Sequence, residues 1–107
     1  MRIGTLRDKV ELQEPETEQS TSGEESIVWR GVGYEWAEVK ALSGKELEQA
    51  MQIKPEINHS VKIRYKSNAL ASWRVKFGDR LLGIEAVIHD QRRTMTALMC
   101  KEIAEDA

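Results

Sequence analysis

One cysteine in 107 residues excludes an intrachain disulfide framework, and a solitary Cys100 fits a reducing compartment. Long apolar runs are missing as well. None approaches the roughly 18 residues of a membrane span, and the opening MRIGTLRDKV holds no apolar stretch of signal-peptide length. Synthesis in the cytoplasm, with no membrane partner, is the expectation. Histidine is scarce, and His59 and His89 share no metal-ligand spacing with each other or with Cys100. Both read as strand-end or turn residues, and Cys100, alternating with Leu98, reads as a small core residue. The stretch SGKE (43–46) lacks the glycine spacing of a phosphate loop and the Ser or Thr that follows its lysine. The glutamate-rich stretch before Ser26 lacks the Asp/Asn/Gly pattern of a calcium loop. No candidate catalytic, metal or cofactor residue remains, and the chain reads as a non-enzyme that needs no cofactor.

What is present is one domain's worth of chain, 1–107, with 40% hydrophobic and 32% charged residues. Alternation of apolar and polar residues dominates. Val10 and Leu12 against Lys9, Glu11 and Gln13 form a half-buried strand. SIVWR (26–30) resumes a strand, and Gly31 and Gly33 punctuate before another over 34–42. Val61, Ile63 and Tyr65 alternate with Lys62, Arg64 and Lys66. Val75 and Phe77 lead through a Gly78-Asp79 turn to Leu82 and Ile84, which is a hairpin. The adjacent Val87 and Ile88 blur the face assignment and point to a bulge. Residues 94–101 form the last strand, and the tail EIAEDA reads as frayed.

Two segments break the alternation. Residues 14–26, EPETEQSTSGEES, carry no apolar side chain, so they bury too little to offset their ordering entropy and read as a long flexible loop. Residues 43–54 read as a short helix. Ser43 and Glu46 have the spacing of a capping box, Leu42 can staple onto Leu47, and Pro55 ends the helix. Leu47, Ala50 and Met51 form one narrow apolar stripe. The expected fold is mainly β: a small β-barrel of six to seven antiparallel strands, with one helix over 43–54 and one loop over 14–26.

Charge is segregated within a net of −2. Glu11 to Glu25 carries six glutamates and no basic residue, whereas Lys62 to Arg80 carries six basic residues against Asp79 alone. Such a chain suits subunits that meet acidic side to basic side. Trp29, Trp36 and Trp73, interleaved with basic residues, leave open a single-stranded nucleic-acid surface. The competing reading places them in the core and in subunit contacts.

Five stretches, in order from about Gly4 to Glu102, resemble the head–tail joining (head-closure, stopper or adaptor) proteins of long-tailed bacteriophages and prophages. They are GTLRDKVELQ; WAEVKALSGKE with Trp36, Ala37, Leu42, Ser43, Gly44 and Glu46; HSVKIRY with His59, Arg64 and Tyr65; RVKFGDRLLGIE; and LMCKE. Leu81-Leu82 departs from the family pattern, in which an aromatic is common there. The resemblance implies a structural virion protein of the neck, made in the host bacterial cytoplasm. It would form a homo-oligomeric ring, twelve-fold for instance, beneath the portal or an adaptor ring after packaging. Such a ring helps close the DNA channel and docks tail-terminator or other tail proteins. By the same resemblance Glu14, Glu16, Glu18, Gly23, Glu24 and Glu25 would belong to a loop at the channel that double-stranded DNA traverses. Lys45, Glu48, Gln49, Gln52, Lys62, Arg64 and Lys66 are the candidate contacts to the ring or its partners. A small nucleic-acid-binding barrel and a tail-completion protein of the same neck are the alternatives.

Overall fold

The computed structural model describes residues 6–103. Six antiparallel strands and one helix run in the order β1 (Asp8–Gln19), β2 (Glu25–Ala41), α1 (Gly44–Ile53), β3 (His59–Arg64), β4 (Arg74–Phe77), β5 (Arg80–His89) and β6 (Met95–Ile103). Pairing follows β1-β2-β3-β6-β5-β4 and returns to β1, so the sheet closes on itself. The alternating positions of the sequence fill its interior. Val10, Leu12, Ala37, Val61, Ile63, Val75, Leu82, Ile84, Leu98 and Cys100 pack there with Ala69 and Trp73 from the β3–β4 connection. Burying each Val, Leu or Ile stabilises the fold by about 1.5–3 kcal/mol, which makes this cluster the main cohesive element.

The expected fold is corrected on two counts. The sheet is a closed ring of six strands, not the small β-barrel of six to seven strands that was expected. Its strands are very unequal, from four residues in β4 to 17 in β2. The closing seam consists only of Glu11, Leu12 and Gln13 against Lys76, Val75 and Arg74. The second correction is residues 14–26, which are not a loop. Glu14 to Gln19 pair in register with Arg30 to Glu25, leaving only a tight turn over 20–24. In that turn Ser20 donates to Glu24 O at 2.8 Å, Gly23 donates to Ser20 O at 3.0 Å, and Gly23 takes φ +89°. The polar segment is ordered by a partner: Ile27, Val28 and Trp29 on β2 supply the β-favouring residues, and Arg30 pairs with Glu14 and, at 3.6 Å, with Glu16. Pro15 is tolerated because β1 has a neighbour on one side only at that point. The result is a two-stranded arm, and the molecule measures 49 Å along its long axis against 26 and 25 Å.

Where the arm leaves the strand ring, β2 carries a bulge. Leu12 faces Gly33 and Gln13 faces Gly31, so Val32 is the extra residue. At Gly31 the Glu11 carboxylate lies close over the backbone: a Cβ there would lie 2.7 Å from Glu11 Oε2, and a larger residue would turn that flexible side chain aside. The sequence placed a break at these glycines; the chain runs through them as one strand. The bulge expected after Ile84 is present, with Glu85 as the extra residue between the pairs Ile84–Cys100 and Ala86–Met99. Gly78, at φ +63°, turns β4 into β5 through the two-residue link that was expected. Glu102 and Ile103 belong to β6 rather than to a frayed tail; residues 104–107 lie outside the described residues.

Candidate interaction surfaces of the strand ring and its arm

Strand periodicity gives the arm two chemically different faces. On β1 the even positions Val10 and Leu12 point into the core, and the same face continues past the seam as Glu14, Glu16 and Glu18. A face that is apolar inside the strand ring thus becomes carboxylate outside it. The odd positions Lys9, Glu11, Gln13, Pro15 and Thr17 form the other face, beside Trp36, Tyr34, Gly31, Trp29 and Ile27 of β2. On that outer face Arg74 lies over the Trp29 ring at 4.3 Å and donates to Gln13 at 2.7 Å, while Gln13 donates to Glu11 at 2.7 Å. This chain of contacts buries Gln13 although it points away from the core.

The channel-loop residues expected from the resemblance fall together on the arm. Glu14 is half-buried beside Arg30, and Glu16, Glu18, Gly23, Glu24 and Glu25 are exposed. The hydrogen bond from Arg30 to Glu14 and the nearby carboxylate charges raise the Arg30 pKa above its ordinary value. The candidate contact residues separate into two groups. Lys45, Glu48, Gln49 and Gln52 are exposed on α1, and Lys62, Arg64 and Lys66 lie on or just beyond β3. Lys66 approaches Glu35 at 3.6 Å.

The helix itself is attached differently from expectation. The Ser43 side chain makes no capping hydrogen bond, and Glu46 reaches Lys40 at 2.8 Å instead of the Ser43 N–H. The hydrogen bond from Lys40 and its charge lower the Glu46 pKa. Gly44 takes φ +57°, a left-handed entry that the capping-box geometry does not use. Ala50 is buried, but Met51 and Ile53 stay about half exposed. A hollow of about 220 Å³ separates the helix from the sheet, with Leu42, Gln49, Ile53, Lys62, Ala97 and Met99 among its lining. The apolar stripe thus lies on the outside of the sheet, with Ala50 buried, Leu47 half-buried and Met51 exposed.

Of the three tryptophans, Trp73 is in the core, Trp29 is half-buried under Arg74, and Trp36 is exposed beside Tyr34. The alternation of β2 sets Trp36 with Glu38 and Lys40 opposite Ala37, Val39 and Ala41, and the structure keeps that division, with Ala37 buried and Trp36 and Tyr34 in solvent. His59 opens β3 and His89 closes β5, as read, and Cys100 is fully buried, its thiol pushed up to about 12 chiefly by burial. Among the described residues no group of three His, Cys, Asp or Glu side chains is placed to hold a metal ion. No helix among them is long and apolar enough to cross a membrane.

The family model for the phage head completion protein matches residues 1–103. This chain belongs to that family. The solution structure of protein SF1141 from Shigella flexneri 2a is similar at 28% identity and a TM-score of 0.78, covering 99% of this chain and 100% of that one. A chain in the virion of a native gene transfer agent particle shares the fold at 18% identity and a TM-score of 0.61, covering 89% of this chain and 93% of that one. No curated protein matches the chain. As a phage head completion protein it is a structural component of the virion and acts in completing and closing the head. The resemblance read from its five stretches therefore identified the correct family.

Proposed function

We propose that this head completion protein works as a single domain, 1–107, that assembles with copies of itself into a ring beneath the portal or an adaptor ring. Packaged double-stranded DNA passes through that ring, and the tail docks on it. The observation that carries the reading is the arm, an acidic two-stranded ribbon projecting from a compact strand ring whose core it does not help to fill. Residues 14–30 hold five glutamates and one arginine, a net of −4. Carboxylates facing a DNA channel repel phosphate, so the duplex is held back sterically and is not gripped. Glu14, Glu16, Glu18, Gly23, Glu24 and Glu25 are the channel residues in this scheme. The exposed α1 residues Lys45, Glu48, Gln49 and Gln52, with Lys62, Arg64 and Lys66, face neighbouring subunits and the portal or tail.

The test replaces residues 14–30 by Asn-Gly, joining Gln13 to Gly31 through a two-residue hairpin turn. The shortened chain folds, and phage particles built with it lose packaged DNA in a nuclease-protection assay. Heads that stay full with the shortened chain rule out the channel role.

A further inference from the structure

The exposed aromatic pair on β2 has no function in the fold. Trp36 is 57% and Tyr34 64% exposed, while Ala37 on the opposite face of the strand is buried. Large adjacent aromatics facing water mark contact surfaces. Cations flank them. Lys9 Nζ lies 5.1 Å from the Tyr34 ring centroid. Two hollows open beside Tyr34: one of about 560 Å³ lined by Leu6, Glu35, Trp36 and Arg64, and one of about 240 Å³ lined by Lys9, Glu11, Lys76 and Gly78. Glu35 is paired with Lys66, so three cations face one uncompensated carboxylate, Glu11. Among the described residues Arg64 and Lys76 make no ion pair. An acidic partner with some apolar surface is what such a patch accepts.

We propose that copies of this chain stack front to back, the acidic face of one arm lying on the basic–aromatic patch of the next. This rests on the reading of the protein as a self-assembling ring. The occupant is chosen by charge and by geometry. The face bearing Glu14, Glu16 and Glu18 also carries Arg30, which pairs with Glu14 and Glu16 and leaves a net of −2, and Val28 opposite Glu16, and so offers net negative charge and an apolar contact. Patch and acidic face lie on opposite sides of one continuous β1–β2 ribbon, so an arm cannot satisfy its own patch, but an identical neighbour can. Patch-to-patch pairing about a two-fold axis would set Lys9, Lys76 and Arg64 against their own copies, which like charge opposes. A front-to-back contact is heterologous; it repeats from subunit to subunit and closes into a ring when the rotation per step allows. In the stacked ring the neighbour covers Glu14, Glu16 and Glu18, and of the proposed channel residues only those of the arm tip, Gly23, Glu24 and Glu25, stay available to the channel.

The experiment is intermolecular paramagnetic broadening at millimolar protein. A nitroxide is placed on S22C at the arm tip, away from the docking face; Cys100 is buried and stays unlabelled. The labelled chain is mixed with isotope-labelled, nitroxide-free chain. The expected result is broadening of the Trp36 indole and of the Tyr34 and Lys9 amides. E16K/E18K makes self-association at least about tenfold weaker, and mixing E16K/E18K with K9E/K76E restores the contact. Absent broadening, broadening in the hollow under α1, or broadening that survives E16K/E18K overturns the stacking. The channel role is read separately, from DNA retention in particles whose arm tip alone, 20–24, is replaced by Asn-Gly between the paired Gln19 and Glu25; Glu14, Glu16 and Glu18 stay in place, so either idea can fail while the other stands.

Discussion

His59, at the first position of β3, shows how a single side chain ties the end of the strand ring to pH. Its Nδ1 lies 2.7 Å from Asn58 Oδ1, and its Nε2 lies 3.3 Å from Arg80 and 3.6 Å from Glu102. Partial burial lowers its pKa, Glu102 opposes that shift, and the Arg80 charge adds to it. The Glu102 carboxyl is itself held low, first by the hydrogen bond from Arg80 at 2.9 Å. The linkage signs agree. A histidine whose folded pKa lies below its unfolded value contributes stability present above the unfolded pKa of about 6.5 and lost as pH falls through the folded value. A depressed carboxylate likewise loses its contribution on further acidification. The denaturation midpoint in urea therefore falls as pH drops from 7.5 to 5.5, and H59Q makes that fall shallower. An unchanged pH slope in H59Q would show that His59 does not set it.

At the scale of the element, the helix and the arm are where the sequence reading and the structure part. S-G-K-E has the spacing of a capping box, yet cap geometry needs Ser43 aimed at the first-turn amides, and Gly44 at φ +57° swings the chain away. The free energy therefore resides in the glycine. S43A changes stability by less than about 0.5 kcal/mol, where a working N-cap would lose about 1. G44A loses about 1–2 kcal/mol because an L side chain resists the left-handed region. Urea titrations of the two variants check this, and the reverse order would restore the capping box. The arm misled for a different reason. Composition over 14–26 speaks for disorder, but strand formation there depends on what lies opposite, and Ile27 to Arg30 supply a partner within the same ribbon.

The whole molecule is a cohesive strand ring with an arm outside its cooperative core. Ten strand positions fill the ring, while the arm beyond Gln13 contributes none of them. Hydrogen exchange should separate the two. Amides of Val61, Ile63 and Leu98 exchange through global opening, whereas those of the arm ladder exchange through local opening, faster by about two orders of magnitude or more. Equal protection in the two regions would place the arm inside the core unit. Closure of the strand ring also explains how a seam of three residue pairs is enough, because β1 and β4 are already held by β2 and β5 on their other sides.

The strands of the closed ring, the Gly78-Asp79 hairpin, the β5 bulge, the buried Cys100 and the family were legible in the chain, because period-2 alternation and turn chemistry are local; the paired strands of the arm and the continuity of β2 through Gly31 and Gly33 were not. Nor were the line-up of the glutamates on one face, the burial of Trp73 and the turn of Glu46 to Lys40. Those outcomes depend on register and on neighbours distant in sequence. A strand's pattern states that it has two sides, and only its cross-strand partners decide what each side meets.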